Sequence, residues 1–546
     1  MIKEVEIKVL PAQIQDAEAI RIACLQKAGL PQKGDWIVTI LKRSIDARSR
    51  QPIYLLRARI TDPLHASDFD PPALTFYHVK DRPKVVIIGA GPAGYFAALQ
   101  CLELNLCPIV VDRGKDVQAR RRDLKAIQQM GEVNPHSNYC FGEGGAGTYS
   151  DGKLYTRSHK RGDIEKVLRL LVDHGATSDI LVDAHPHIGS NKLPQIVAAI
   201  RKTIEDHGGE VHFDTWITEL EIQDQTLKSV RSHDGREFAG EAFILATGHS
   251  ARDIYRLLYT HNIAIEAKPF ALGVRIEHPQ RFIDKVQYKQ DPREENLPAA
   301  SYKTVCQIDQ TGVFSFCMCP GGLVVPAATA PGEIVVNGMS LSRRDSPFAN
   351  SGFVTSIELD ELNKHGYKDT FASMDFQASV EQHMFQLGDG SQKAPAQRVD
   401  DFVKGRLSAD LFETSYIPGL FSAPLHEQLP DFVAYRLRHA IRQIDKSMSG
   451  FLSHEANVIA TESRTSSPIK VPRDPVSRMH PQIKGLFPCG EGAGYAGGIL
   501  SAAMDGQNVA LSVMEGLGVR GWGLRVDKNI PVCYRKLIDI IPTSGK

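Results

Sequence analysis

In the opening run MIKEVEIKVLP, apolar Val5, Ile7 and Val9 alternate with Glu4, Glu6 and Lys8, a period of two that predicts a strand with one buried face. The pattern then changes to helical spacing. From Asp16 to Ala28, Ile20, Cys24 and Leu25 form one apolar stripe, and DWIVTILKR and PIYLLRARI return to strand-like patterns. With the Asp- and Pro-rich linker DPLHASDFDPP behind them, residues 1–80 read as a small α+β module. No fixed-period repeat or low-complexity run interrupts the chain.

At Lys84 the pattern becomes a short β-branched run, a glycine turn and a helix of small residues: KVVIIGAGPAGYFAALQCLELN, followed by a second strand-like run, CPIVVDRG. In this turn Gly89 permits the bend, Gly91 lets backbone approach a pyrophosphate, and Gly94 lets helix and strand pack closely. The helix start, with Ala93 following Pro92, presents free N–H groups and the positive end of its dipole to phosphate. Asp112, about twenty residues on and next to Arg113, stands where a carboxylate accepts ribose hydroxyls. The whole unit predicts dinucleotide binding.

Beyond this unit the chain departs from the compact run of βα units expected of an NAD domain. A helix from about Leu193 to Asp206 carries Ile196, Val197, Ile200 and Ile204 on one face and stops at Gly208-Gly209. Strand-like EVHFDTWITELEI, which contains Ile217, leads to an Asp234-Gly235 turn and then to EAFILATG. A meander ending in Ala246-Thr247-Gly248 resembles the third element of FAD-binding domains of the glutathione-reductase type. About 400 residues beyond the first glycine turn comes a second, GLFPCGEGAGYAGGILSAAMDG. The resemblance puts Gly490 and Glu491 beside ribityl or pyrophosphate hydroxyls, and Gly497, Gly498 and Ile499 at a helix start facing the flavin. FAD is long enough to need both turns, so its domain is expected to be discontinuous. The expected division is 81–268 and 454–520 for the FAD domain, 269–453 for an inserted α+β substrate domain and 521–546 for a tail.

The segments NPHSNYCFGEGGAGTYSDGKLYTR, CMCPGGLVVPAAT, VVNGMS with NSGFV, TSSPIKVPRD and CGEGAGYAGGILSAAMDG together resemble a bacterial family of predicted FAD-dependent dehydrogenases. The resemblance implies an α/β flavoprotein with FAD held non-covalently and a small-molecule substrate. It also implies that FGEGGAGTYSDGKL approaches the cofactor. Gly144, Gly145 and Gly147 would admit backbone near the flavin, Thr148 and Ser150 would bond ring or phosphate oxygens, and Lys153 would place a positive charge near the ring. His249, directly after Gly248, is the histidine expected nearest the cofactor. The catalytic acid or base is not named by any motif.

Cys317 and Cys319 in FCMCPGG can share one face of a strand. No charge flanks them in sequence, and flavin disulfide reductases place their cysteines in the FAD domain with four residues between. They read as buried residues supporting the Pro320-Gly321-Gly322 turn, with a redox dithiol as the alternative. Arg120, Arg121, Arg122 and Lys125 read as a solvated helix face. Lys42, Arg43, Arg48 and Arg50 lack the aromatic interleaving of an RNA platform, so an RNA-modifying flavoprotein is the lesser reading, as is a flavin sensor without turnover. There is no second strand–GxGxxG–helix unit, so NADH or NADPH would bind only transiently.

Composition narrows the classes further. At 546 residues with 42% hydrophobic and 23% charged, the chain is too long for one ordinary core and too apolar for disorder. Its formal net charge of zero drives it toward neither nucleic acid nor an anionic membrane, and no run approaches the ~18 apolar residues of a membrane span. Nine scattered cysteines and an N-terminus without an apolar signal region suit reduced thiols in a cytoplasm. The histidines at 136, 185, 187 and 249 have no metal-ligand spacing, so no metal is expected.

Overall fold

The computed structural model describes residues 2–65, 67–69, 74–155 and 162–518; the expected tail at 521–546 lies outside them. The alternating N-terminal runs form strands Ile2–Val9, Ile37–Asp46 and Ile53–Thr61, an antiparallel sheet with Ile53–Thr61 in the middle. Helix Ala17–Ala28 covers it. Asp16 caps that helix by accepting the Ala19 N–H at 2.9 Å, and Gly29 ends it in the left-handed region. Leu25, Leu56 and Ile60 are at most 1% exposed, each worth about 1.5–3 kcal/mol of burial.

Five parallel strands form the second sheet, in the order Leu486–Pro488, Ala242–Leu245, Lys84–Ile88, Cys107–Val111, Glu210–His212. Numbered along the chain, this is 5-4-1-2-3. Chain order therefore reverses beside Lys84–Ile88, the place where an open parallel sheet leaves a crevice at the carboxyl ends of its strands. Helices Pro92–Glu103 and Ile499–Gly516 pack together beside it. The contact is so close that a Cβ on Gly506 would lie 2.0 Å from the Ala93 carbonyl oxygen.

The strand-like run EVHFDTWITELEI divides in two. Glu210–His212 ends the parallel sheet, Asp214 turns the chain at φ 50°, and Ile217–Gln223 starts a three-stranded antiparallel sheet with Thr226–Ser232 and Glu237–Ala239. Residues after 269 build a seven-stranded sheet in the order Val305–Ile308, Thr311–Cys319, Phe348–Ile357, Phe270–Pro279, Asn457–Glu462, Ala394–Arg398, Leu420–Ser422. Asn457–Glu462 thus belongs to this sheet although it lies beyond residue 453, where the sequence pattern puts the return to the first domain. One apolar core runs from the N-terminal module into this sheet, joining Leu56 and Ile60 to Leu272 and Phe402. Among the described residues, no helix is long and apolar enough to cross a membrane.

Candidate active site

A cleft of about 240 Å³ opens at the carboxyl ends of Lys84–Ile88 and Ala242–Leu245. Two glycine turns far apart in sequence meet in it. Gly89, Gly91, Pro92 and Ala93 come from the first; Glu491, Gly498 and Ile499 come from the second. Asp112 and Arg113, Ile217, and Ala246, Thr247 and Gly248 complete one wall, while Gly145, Gly147 and Lys153 form another. Gly94, Gly144, Thr148, Gly490 and Gly497 are not on its surface.

Those five have other contacts. A Cβ on Gly94 would stand 1.8 Å from the Gly89 carbonyl oxygen, so this glycine sets the approach of helix to strand. Thr148, expected to reach cofactor oxygens, instead donates its hydroxyl to the Glu143 carbonyl at 2.9 Å and packs against Gly144. Gly490 donates its N–H to Asp505 at 2.7 Å, and Gly497 donates to Ser501 Oγ at 3.0 Å.

The Asp112 carboxylate accepts the N–H of Ala90 through Oδ2 and of Gly114 through Oδ1, each at 2.8 Å. It therefore braces the glycine turn, and each oxygen keeps a lone pair for a further donor. Arg113 pairs with Asp253 and lies over the Phe141 ring. Helix Pro92–Glu103 begins at Gly91 and helix Ile499–Gly516 at Gly498, both without a side-chain cap. Their first N–H groups are thus left for a ligand, with the positive dipole ends beside them. Gly498 needs its glycine for backbone reasons, at φ 112°, and a Cβ there would meet open space.

The glycine loop at 142–147 rests on two buried charges. Arg120 is fully buried and donates to the carbonyls of Asn138, Tyr139, Gly142 and Glu143. The solvated face expected of this helix is confined to Arg121, Arg122 and Lys125. Glu143 accepts from Tyr95 at 3.0 Å, Arg201 at 2.8 Å and the Val117 N–H at 2.8 Å. Isolated Arg and Glu in a sequence give no sign of such roles, because the partners are carbonyls of the folded loop for Arg120 and groups from three separate helices for Glu143.

Several ionisable groups line the cleft. Burial, with Arg464 nearby, lowers His249 to about 3, so it is neutral over the ordinary pH range. Its Nε2 lies 3.8 Å from Glu491 Oε1. Burial raises Glu491 to about 7, with Lys268 pulling the other way. Arg464 belongs to a buried group with Arg252, Glu333 and Glu381, donating to Glu381 at 2.8 Å and to Glu333 at 3.3 Å. Arg464 lines the cleft, and its buried Nη1 has no hydrogen-bond partner among the described residues. Neither Arg464 nor Trp216, also in the wall, stood out in the sequence, since each is a single residue in a non-motif segment.

Cys317 lines the cleft, and the charge that its sequence neighbours lack arrives from elsewhere: Lys153 Nζ is 3.9 Å from its sulfur. In the N-terminal module, Arg43 bonds Asp183 at 2.6 Å and Asp179 at 3.0 Å, and Arg48 bonds Asp46 at 2.6 Å. Among the described residues, no group of three or more His, Cys, Asp or Glu is placed to hold a metal ion.

A family described as FAD-dependent protein, C-terminal domain-like, matches residues 269–465, and a domain of unknown function matches residues 1–61. An uncharacterized protein of Clostridium beijerinckii (strain ATCC 51743 / NCIMB 8052) is 39% identical over 497 residues, covering 87% of this chain and 92% of that protein. Among solved structures, a flavin-dependent brominase is 12% identical with TM-score 0.37, over 84% of each chain. A flavoprotein/dehydrogenase from Cytophaga hutchinsonii is 11% identical with TM-score 0.34, over 80% of this chain and 79% of that one. At these scores the likeness is too slight to bear on chemistry.

Proposed function

The chain belongs to the same family as the clostridial protein and carries the C-terminal domain of FAD-dependent proteins, and from that premise we propose that it is an FAD-dependent oxidoreductase acting on a small molecule. One observation carries the reading: two uncapped helix starts, about 400 residues apart, open onto a single cleft at the reversal point of a parallel sheet. That sheet order supports a glutathione-reductase-type FAD domain divided by the seven-stranded sheet.

The residues fit the cofactor. The Ala93 N–H at the first helix start would meet phosphate charge, and Asp112 would accept ribose hydroxyls while disfavouring a 2′-phosphate. Gly498 and Ile499, with Lys153 across the cleft, would set positive potential at the far end. When bound, FAD supplies two-electron exchange with a hydride donor or acceptor. Glu491, at about 7, is placed to hold or release a proton near neutral pH, with the neutral His249 ring 3.8 Å away in the same cleft. Substrate and a transiently bound nicotinamide would enter by the mouth of the same cleft. Arg43 is engaged by both Asp183 and Asp179, which weighs against RNA on the N-terminal module.

Anaerobic titration of purified protein with NADH and with NADPH, following flavin absorbance, tests the assignment. Bleaching by one nucleotide supports a nicotinamide-fed oxidoreductase; a flavin that no nicotinamide or small-molecule donor reduces contradicts turnover and favours a sensor.

A further inference from the structure

In the wall of the cleft, strand Thr311–Cys319 carries an irregularity. Its pairing with Phe348–Ile357 slips between Phe316 and Cys319, and Cys317 takes φ 45°. A non-glycine residue is costly there, and such positions concentrate at functional sites. The bulge turns two thiols toward one ammonium. Lys153 Nζ stands 3.9 Å from Cys317 Sγ and 3.8 Å from Cys319 Sγ. Cys317 is part-exposed at the cleft surface, whereas Cys319 is fully buried, its sulfur 3.3 Å from the Cys317 carbonyl oxygen.

The charges around the pair call for a thiolate. Lys153 and Arg344 both bond Asp151, at 3.1 Å and 2.5 Å, so two cations share one carboxylate, which also accepts from Ser340. Arg275 donates to the Cys317 carbonyl at 3.3 Å, while its own charge is matched by Glu462 at 2.7 Å. One negative charge on the sulfurs balances the group.

We propose that Cys317 and Cys319 are a redox-active dithiol, with Cys317 the attacking thiolate, Cys319 the resolving thiol and a low-molecular-weight disulfide the substrate. The Cys317 thiolate attacks one sulfur of the disulfide RSSR, forming a mixed disulfide as RS⁻ leaves. Cys319 then attacks the Cys317 sulfur, its proton going to the departed thiolate and the second thiolate taking a proton from solvent. The sum is dithiol plus RSSR giving an internal disulfide plus two RSH, with Lys153 holding negative charge on sulfur throughout. Return of two electrons and two protons from reduced flavin restores the dithiol, and only this return rests on the proposed FAD-dependent function. The electrostatics agree. The hydrogen bond from Cys319, with Lys153 and Arg275, holds Cys317 well below the usual thiol range against burial, while the same bond and burial raise Cys319.

The test equilibrates the full-length protein anaerobically in dithiothreitol buffers of stepped oxidised-to-reduced ratio, alkylates it and weighs the peptide holding both residues. The expected result is a single two-electron step from doubly alkylated to unalkylated and two hydrogens lighter. With glutathione disulfide as probe, Cys319→Ser should trap a mixed disulfide on Cys317. Lys153→Met should slow alkylation of Cys317 at neutral pH by roughly tenfold, and Lys153→Arg should restore most of it. A peptide alkylated twice at every ratio, or a Cys317 whose alkylation ignores the charge at position 153, overturns the proposal. Dithionite titration of flavin-loaded protein separates the two readings: uptake of four electrons per flavin supports the couple, and two electrons contradict it. A protein that forms the internal disulfide yet binds no flavin keeps the dithiol and loses the flavin assignment.

Discussion

The Asp112 carboxylate is half occupied before any ligand arrives, because it holds the N–H groups of Ala90 and Gly114. Asp112→Ala should therefore both loosen the turn and remove a ribose acceptor, weakening FAD binding by roughly tenfold to a hundredfold in a fluorescence titration. Gly94→Ala acts on geometry alone. Its Cβ would stand 1.8 Å from the Gly89 carbonyl oxygen, backbone that cannot step aside, and a loss on the order of 3 kcal/mol in denaturant unfolding is expected. Glu491 gives a pH signature. Burial raises it from 4.5 to about 7, so between those values the folded state binds more protons than the unfolded state and stability falls as pH rises. His249, lowered to about 3, works the other way from about 3 to 6.5, so the two groups oppose each other over much of that window. Glu491→Gln should remove one contribution only: relative to wild type it gains stability from pH 5 to pH 7 and no more above pH 8, read from denaturation midpoints at fixed flavin loading.

At the scale of elements, the glycine turns and their helices were legible because each is a local rule: Gly89, Gly91 and Gly94 at fixed spacing, and apolar faces at 3.6-residue period. Helix Leu193–Asp206 coincides with the periodic run that predicts it. Elements that depend on distant partners were not legible. The run at 210–222 looks like one strand, since its β-branched and aromatic pattern continues through Asp214, yet Glu210–His212 and Ile217–Gln223 belong to different sheets. Arg120 reads as a solvated charge, and only the folded loop supplies the four carbonyls that bury it. Arg120→Met should leave those carbonyls without a donor, costing on the order of 3 kcal/mol and loosening the loop at 142–147, measurable as faster amide exchange there. The same holds for Cys317 on its strand: its sequence neighbours are uncharged, and Lys153 comes from more than 160 residues away.

Across the whole molecule, the cleft lies where the parallel sheet meets segments of the seven-stranded part, and a buried charge group spans that junction. Arg252 comes after strand Ala242–Leu245, Glu381 lies on helix Ala372–Gln386, and Arg464 comes after strand Asn457–Glu462. Glu381→Gln should leave two buried guanidiniums with too little negative charge, destabilising by about 3–5 kcal/mol in denaturant unfolding. That this one cleft holds one FAD is tested most directly by the amount of flavin released from protein reconstituted with excess FAD and freed of unbound cofactor, for wild type and Asp112→Ala alike. One equivalent per chain, with weaker retention in the variant, is the predicted result; a colourless protein that takes up no FAD would contradict it.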